Sequence, residues 1–314
     1  MILSKQAAMR DAYGEALLEL GEANRDVVVV GADTTGSLKS GVFGTKYPER
    51  FFNVGIAEQN LVSIAAGLAL AGKIAYSGTY AIFVPGKCVD QIRNNICYPN
   101  LNVKLVCSHG GISVGPDGAS HQQVEDIAIM RAIPRMKVIV PADAPSTKGI
   151  VRAIATIPGP FYVRLTRSAT PVIYEGGFEY KFGEANVLLD GSDVAIFACG
   201  IMVPESLRAA ESLKAKGVSA AVVDVHTVKP IDSETVLNFA RKCGRVVTVE
   251  EHNILGGMGS AVAEVLGERH PTHMKRIGVM DTFGESGDPG ELLKKYGLTA
   301  DSIEQAASGL LRSK

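Results

Sequence analysis

The sequence has no tryptophan, few aromatic residues and no excess of charge of either sign. Its 32 basic and 33 acidic residues leave a formal net charge of -1, which does not favour binding to nucleic acid or to an anionic membrane. No stretch approaches the ~18 apolar residues of a membrane helix, and the first residues lack the apolar core of a signal peptide. We therefore expect a cytoplasmic protein that binds neither nucleic acid nor membrane.

Sequence motifs for metal, redox and nucleotide chemistry are missing as well. The six histidines form no HxxxH or HExxH arrangement, and the glycines form neither a GxGxxG fingerprint nor a Walker loop. The cysteines form no CxxC pair, so no spacing supports a catalytic cysteine or a zinc site in this chain. We expect buried, reduced thiols at Cys88, Cys97, Cys107, Cys199 and Cys243.

Apolar runs rich in β-branched residues alternate with helix-like segments along the chain. Continuously apolar strands separated by helices are typical of a parallel sheet that is covered on both faces. The sequence therefore predicts an α/β fold with two doubly wound domains and mainly parallel sheets. The predicted strands are Val27–Gly31, Lys104–Ser108, Lys137–Val140, Phe161–Leu165, Val194–Ala198, Ser219–Val223 and Arg245–Val249, the last followed by a turn at residues 250–253.

The alternating pattern lapses between Thr166 and Asp193, where turn residues replace the helical period. A chain of 314 residues is long enough for two domains, each with a core of its own. We predict a first domain at residues 1–170, a connecting segment at 171–190 and a second domain at 191–314.

One carboxylate, Glu58, stands in the stretch FNVGIAEQN, between a short apolar run and a helix-like segment rich in alanine and glycine. The preceding residues predict a strand, and Leu61, Ile64 and Leu68 recur at helical spacing, so Glu58 falls where a strand leads into a helix. Open α/β sheets bind ligands at that edge, but an acidic residue there also complements the positive end of a helix. These residues alone favour the second interpretation, in which Glu58 complements the helix terminus.

A second loop, HGGISVGPDGASHQQVED, follows the predicted strand at Lys104–Ser108 and leads into a predicted helix at about Gln122–Met130. It contains His109, Asp117 and His121 on glycine-rich backbone. Each histidine taken singly is consistent with a solvated loop, whereas the group favours proton transfer and anion binding.

Four motifs in order, GIAEQN, TYAIFVPGKCVDQIRN, SHGGISVGPDGASHQQVED and RLTRS, resemble the pyrimidine-binding domain of transketolase. The second half resembles the C-terminal domain of that family, so the resemblance covers nearly the whole chain. The family holds the diphosphate of its cofactor and a divalent metal through a Gly-Asp-Gly motif and a later asparagine, which are missing here. The chain thus resembles the C-terminal subunit of a split transketolase.

The resemblance implies thiamine diphosphate as cofactor, with Mg²⁺ or Ca²⁺ bound through an N-terminal partner subunit. It also implies an α2β2 assembly built around a dimer of this chain, and transfer of a two-carbon ketol unit between sugar phosphates. By resemblance, Glu58 bonds N1' of the aminopyrimidine and Phe83 stacks on its ring. Tyr80 and Phe83 are predicted to be a helical i, i+3 pair, and packing in the core is an equal alternative for Tyr80.

The substrate residues follow from the same resemblance. Asp117 and His121 would meet the hydroxyls and the carbonyl near the reacting carbon. A dianionic phosphate suits an arginine fork, and the matching positions for the phosphate site are Arg10, Ser37, His109 and Arg167. Solvated or ion-paired surface charge is the alternative for the two arginines.

One departure from the family concerns the residues after His109. Full-length transketolases usually carry an aspartate there, whereas this chain has Gly110 and Gly111, which leaves the preferred sugar open. Two related functions stay in view: the β subunit of a 2-oxoacid dehydrogenase, which would need no phosphate site, and half of a deoxyxylulose-phosphate synthase, which typically has arginine in place of His109. A non-catalytic assembly subunit is the alternative from another class.

Overall fold

The computed structural model describes residues 5–312, which form an α/β fold of two mainly parallel sheets covered by helices, with a separate two-stranded antiparallel sheet. The strands are β1 (Gln6–Ala8), β2 (Val27–Gly31), β3 (Phe51–Asn53), β4 (Ile74–Gly78), β5 (Val103–Cys107), β6 (Lys137–Ile139), β7 (Phe161–Arg164), β8 (Ala169–Pro171), β9 (Asn186–Leu189), β10 (Val194–Ala198), β11 (Ala220–Asp224), β12 (Thr227–Lys229), β13 (Arg245–Asn253) and β14 (His273–Val279). The α/β fold predicted from the sequence is confirmed.

Helices connect these strands. They are α1 (Met9–Ala23), α2 (Thr35–Leu38), α3 (Gly41–Lys46), α4 (Glu58–Leu70), α5 (Val84–Lys87), α6 (Val89–Gln91), α7 (Asp126–Ala132), α8 (Ala144–Ile154), α9 (Met202–Ala215), α10 (Ser233–Cys243), α11 (Met258–Arg269), α12 (Pro289–Lys295) and α13 (Ala300–Arg312). Single 3₁₀ turns cover Pro48–Arg50 and Ile112–Val114, and a π-helical turn covers Ile92–Cys97. None of the helices in residues 5–312 is long and apolar enough to cross a membrane.

The first sheet has the strand order β12-β6-β7-β5-β4-β2-β3. All neighbouring strands in it are parallel except β12, which is antiparallel to β6. The run of valines in β2 shows why the sheet is buried on both faces: Val28 and Val30 pack into one apolar cluster, and Val27 and Val29 pack into another. The strand predicted at residues 27–31 is confirmed, whereas β4 between it and β5 was not predicted.

The second sheet has the order β14-β13-β10-β11-β9, with β9 antiparallel to β11 and the other pairs parallel. The predicted turn at residues 250–253 is wrong, because β13 runs on through it to Asn253. Two buried carboxylates in this stretch find partners outside the strand. Glu250 accepts the backbone N–H of Met258 at 2.6 Å, and Glu251 accepts that of Ser113, also at 2.6 Å.

The two halves of the chain are interleaved. β12 lies beyond the connecting segment in sequence but joins the first sheet, and β9, within that segment, joins the second. One apolar cluster runs from Leu105 in the first sheet to Phe197 in the second without interruption. We keep the division at 1–170, 171–190 and 191–314 as a proposal; its first four and last two residues lie outside the described residues.

The five cysteines are buried and free, as predicted. Burial raises the pKa of Cys88 to about 12 and that of Cys97 to about 11. These thiols are therefore protonated at neutral pH, which makes them poor nucleophiles.

Candidate active site

The residues singled out in the sequence follow strands that end at one edge of the first sheet. Parallel strands bring their carboxyl ends together, and ligands of open α/β sheets bind there. Ser37 follows β2, Glu58 follows β3, Tyr80 and Phe83 follow β4, His109, Asp117 and His121 follow β5, and Arg167 follows β7, while Arg10 lies at the start of α1. The sheet topology thus gathers eight of the nine candidates at one edge.

Glu58 is the first residue of α4 and is 8% exposed. Its Oε1 accepts a hydrogen bond from the Nζ of Lys87 at 3.0 Å, and the same ammonium lies 4.5 Å from the centre of the Phe83 ring. The free N–H groups and the dipole of the helix N-terminus also favour a negative charge there. Lys87 was missed in the sequence, although it lies four residues after Phe83 in the same motif.

Aromatic rings form a contiguous group beside Glu58. The Tyr80 ring stacks on His109 with 3.7 Å between centroids and lies 5.6 Å from Phe83. The edge of His121 meets Phe83 at 5.6 Å. The prediction that Tyr80 and Phe83 lie on one helix is wrong. Tyr80 forms a β-bridge with Ser108, and Phe83 is the N-cap residue of α5.

Two arginines and His109 form a basic group. The Nη1 of Arg10 donates to the backbone carbonyl of Ser37 at 2.6 Å, while its buried Nε has no hydrogen-bond partner within residues 5–312. Burial and then the nearby Arg167 lower the pKa of Arg10. Burial, followed by Arg10 and Arg167, lowers the pKa of His109 to about 3, so this imidazole is neutral at physiological pH. Like charges around an unsatisfied donor fit an anionic ligand.

The loop after β5 places the remaining candidates differently. Asp117 lies on an exposed part of the loop, and His121 is half-buried with its Nδ1 3.0 Å from the Oγ of Ser120. The predicted helix start at Gln122 is wrong, because α7 begins at Asp126. Gln122 donates to the backbone of Ile112 and so belongs to the loop. The backbone carbonyl of Ser37 accepts a hydrogen bond from Arg10, and contact of Ser37 with the phosphate stays a prediction.

Residues 5–312 contain no cluster of three or more His, Cys, Asp or Glu side chains placed to hold a metal ion. The side chains gathered here are a carboxylate, aromatic faces and basic groups. Together they suit an organic ligand with a polar ring and a second ligand that carries an anionic group.

Comparisons with known proteins agree with this geometry. Residues 5–172 match the family model described as the pyrimidine binding domain of transketolase, and residues 183–303 match the one described as the transketolase C-terminal domain. These matches cover most of the chain. They also extend over both sheets.

Two relatives match this chain over nearly their whole length. A putative transketolase C-terminal section from Methanocaldococcus jannaschii is 50% identical over 94% of this chain and 93% of its own length. A 6-deoxy-6-sulfo-D-fructose transketolase subunit from Clostridium sp. is 42% identical over 95% of this chain and 93% of its own.

A solved structure described as a split gene transketolase, inactive beta4 tetramer, superimposes with a TM-score of 0.90 at 47% identity. The superposition covers 98% of this chain and 99% of the chain in that structure. A protein of the same extent and fold is therefore known as one product of a split gene. The chain belongs to the transketolase family, in which it is the C-terminal half of a split transketolase.

Proposed function

We propose that this chain, joined by an N-terminal subunit, transfers a two-carbon ketol unit from a ketose phosphate to an aldose phosphate with thiamine diphosphate. The observation that carries the proposal is the single array at the sheet edge. In it, buried Glu58 and the rings of Phe83 and Tyr80 adjoin His109 and the arginine pair. One part suits the aminopyrimidine and the other suits the substrate.

The residues present fit the pyrimidine half of the cofactor. Glu58 offers a carboxylate from a nearly dry position, and Phe83 offers a half-buried ring face. The described part of the chain has no metal-binding cluster, so we assign the diphosphate and its Mg²⁺ or Ca²⁺ to the partner subunit. When bound, thiamine diphosphate supplies a carbanion that attacks the ketose carbonyl and stores the electrons of the broken C–C bond.

The role of Glu58 is to hold a proton at N1' of the aminopyrimidine. A charge-assisted hydrogen bond from N1'–H to a carboxylate that water hardly reaches is strong, and it favours the tautomer with a basic 4'-nitrogen. Phe83 orients the ring by stacking, which contributes about 0.5 to 1.5 kcal/mol. We assign His121, whose ring makes a T-shaped contact with the Phe83 ring, to hydrogen bonding with the substrate near the reacting carbon, and Asp117 to its hydroxyls.

The basic group binds the far end of the substrate. Arg167 and Arg10 supply charge, and the unsatisfied Nε of Arg10 supplies a free donor. An arriving dianion would also raise the proton affinity of neutral His109, because it opposes the arginine charges that lower it. A relative is named for a sulfo-sugar, so a terminal anion is the shared chemistry, of which we propose phosphate.

The assembly follows from the division of the cofactor site. We propose an α2β2 complex around a dimer of this chain, located in the cytoplasm. The isolated chain should be folded but inactive, because it offers no anchor for the diphosphate. Isothermal titration calorimetry should show no tight binding of thiamine diphosphate to this chain alone, and tight binding to the co-purified complex with Mg²⁺ present.

The control for this titration is the N-terminal subunit measured alone under the same conditions. Tight binding of the cofactor by the isolated C-terminal chain would overturn the proposed division of the site. A circular dichroism spectrum typical of an unfolded chain, recorded on the isolated C-terminal chain, would instead show that the chain needs its partner to fold.

A further inference from the structure

The glycine pair after His109 is packed against two buried charged side chains. A Cβ on Gly110 would lie 2.5 Å from the Nε of Arg164, and one on Gly111 would lie 2.1 Å from the Cδ of Glu251. Gly111 also has φ of +88°, a conformation that favours glycine. The space that a larger side chain would occupy at these two positions is therefore already filled by Arg164 and Glu251.

The first of these side chains belongs to a buried ion pair. The Nε of Arg164 donates to Oδ2 of Asp126 at 2.8 Å, and the two side chains are 3% and 0% exposed. The Nη2 of Arg164 donates to the backbone carbonyl of Glu251 at 2.9 Å. Asp126 therefore supplies a counter-charge for Arg164. The Glu251 carboxylate is not needed for that purpose.

The second side chain comes from the other half of the protein. Glu251 lies in β13, is 2% exposed, and accepts the backbone N–H of Ser113 through Oε1 at 2.6 Å. Its Oε2 is buried and has no hydrogen-bond partner in the described part of the chain. Burial raises the pKa of this carboxyl, and Arg164 opposes the rise. A buried carboxylate at such a site needs a specific reason to be there.

The second half of the protein holds the same loop at further points. The side-chain amide of Gln122 donates to the carbonyl of Glu285 at 2.8 Å, and the N–H of Asn253 donates to the carbonyl of Val124 at 2.6 Å. His109 itself has φ of +62°, which is uncommon for a residue other than glycine. Its imidazole therefore depends on a backbone that is held in place from outside.

We propose that Glu251 is a positioning residue for substrate. Through its bond to Ser113 and its contact with Gly111, it fixes the backbone that presents His109 to the anionic end of the sugar. This inference rests on the proposed function of the His109 site. The glycine pair is then a requirement of this contact between the two halves, and the effect of Glu251 falls on substrate affinity.

The test compares two substitutions of Glu251, one that changes the length of the side chain and one that changes its charge. Glu251→Asp keeps the charge beside Arg164 but is one methylene too short to bond Ser113, whereas Glu251→Gln keeps the length and an acceptor oxygen. In the assembled enzyme, Glu251→Asp should raise KM for a phosphorylated donor by roughly tenfold with kcat little changed. Glu251→Gln should remain close to the wild type.

The matched control is Glu250→Asp. Glu250 is the preceding residue of β13 and is also 2% exposed, but it accepts the N–H groups of Met258 and Gly259 at the start of α11. Shortening it should lower the melting temperature and leave the ratio of KM values for phosphorylated and unphosphorylated donors unchanged. Gly110→Ala, whose methyl group meets Arg164, should displace the loop from its other side and raise the same KM selectively.

Hydrogen exchange in the chain alone supplies a readout without catalysis. The amide of Ser113 should exchange faster in Glu251→Asp than in the wild type or Glu251→Gln. Unchanged exchange and KM in Glu251→Asp, or equal KM changes for both donors, would overturn the proposal, as would a Glu251→Gln variant that is worse than Glu251→Asp. A wild-type complex without ketol transfer would refute the proposed function instead, and the exchange measurement would still decide the contact.

Discussion

Replacing Glu58 by glutamine in the assembled enzyme is expected to slow proton exchange at C2 of thiamine diphosphate by about a hundred- to a thousandfold. Glutamine keeps the shape of the side chain at the start of α4, so the fold should be retained. It loses the negative charge, however, and with it the strong hydrogen bond that favours the reactive tautomer. The low exposure of this position, 8%, means that water cannot replace the lost interaction.

The exchange is followed by nuclear magnetic resonance after dilution of the loaded complex into deuterium oxide. Glu22→Gln is a matched control for the loss of one carboxylate, because the Glu22 side chain is 75% exposed and pairs with Lys46 at the surface. Near-normal exchange in Glu58→Gln would leave Glu58 with the structural role that its place at a helix N-terminus also allows.

Replacing Arg167 by alanine should raise KM for a phosphorylated sugar by roughly ten- to a hundredfold. A hydrogen bond to a charged group contributes about 1.5 to 3 kcal/mol, and each 1.4 kcal/mol is about one decade in affinity. Arg167 lies close enough to lower the pKa of both Arg10 and His109, and we propose that these groups share one ligand. The phosphate takes no part in bond breaking, and its loss of contact acts mainly on binding.

The contrast between donors decides this prediction. Hydroxypyruvate has no phosphate, so steady-state kinetics with it should change much less in Arg167→Ala. Arg152→Ala serves as the control, because Arg152 is a surface residue of α8 that pairs with Glu19. Equal losses with both donors would remove the phosphate assignment and point to a general disturbance of the fold.

The fold could be predicted from sequence wherever burial and apolarity coincide. The side chains of the four valines of β2 have no polar group to satisfy, so a continuous apolar run was sufficient to locate the strand. β13 shows the limit: its end carries the buried residues Glu250 and Glu251, whose carboxylates accept hydrogen bonds from N–H groups of α11 and of Ser113. Those partners are distant in sequence, and so the run was predicted to turn.

Tertiary contacts also determine which sheet β12 joins and at which residue α7 begins. Thr227–Lys229 joins the first sheet by pairing with β6, a choice that no local pattern indicates. The helix expected at Gln122 starts later because Gln122 is used to close the loop on Ile112. The periodicity of the side chains indicates which faces of an element are apolar. The pairing of β12 and the start of α7 depend instead on which distant backbone groups need hydrogen-bond partners.

The candidate site followed from topology more than from any single residue. Ser37, Glu58, His109 and Arg167 come after different parallel strands, and a parallel sheet necessarily gathers such positions at one edge. Lys87 and Glu251 were missed for a common reason, since each acts on the site through a contact that spacing in the sequence does not show. The contact of Glu251 with Ser113 joins residues 138 positions apart.

The most direct test of the whole account is a ketol-transfer assay on this chain co-expressed with a polypeptide that carries the Gly-Asp-Gly diphosphate motif. We predict that the complex transfers two carbons from a ketose phosphate to an aldose phosphate, and that transfer requires both chains, thiamine diphosphate and a divalent cation. Transfer of an acyl group to a lipoyl acceptor, without ketol transfer, would contradict the account and assign the chain to a 2-oxoacid dehydrogenase.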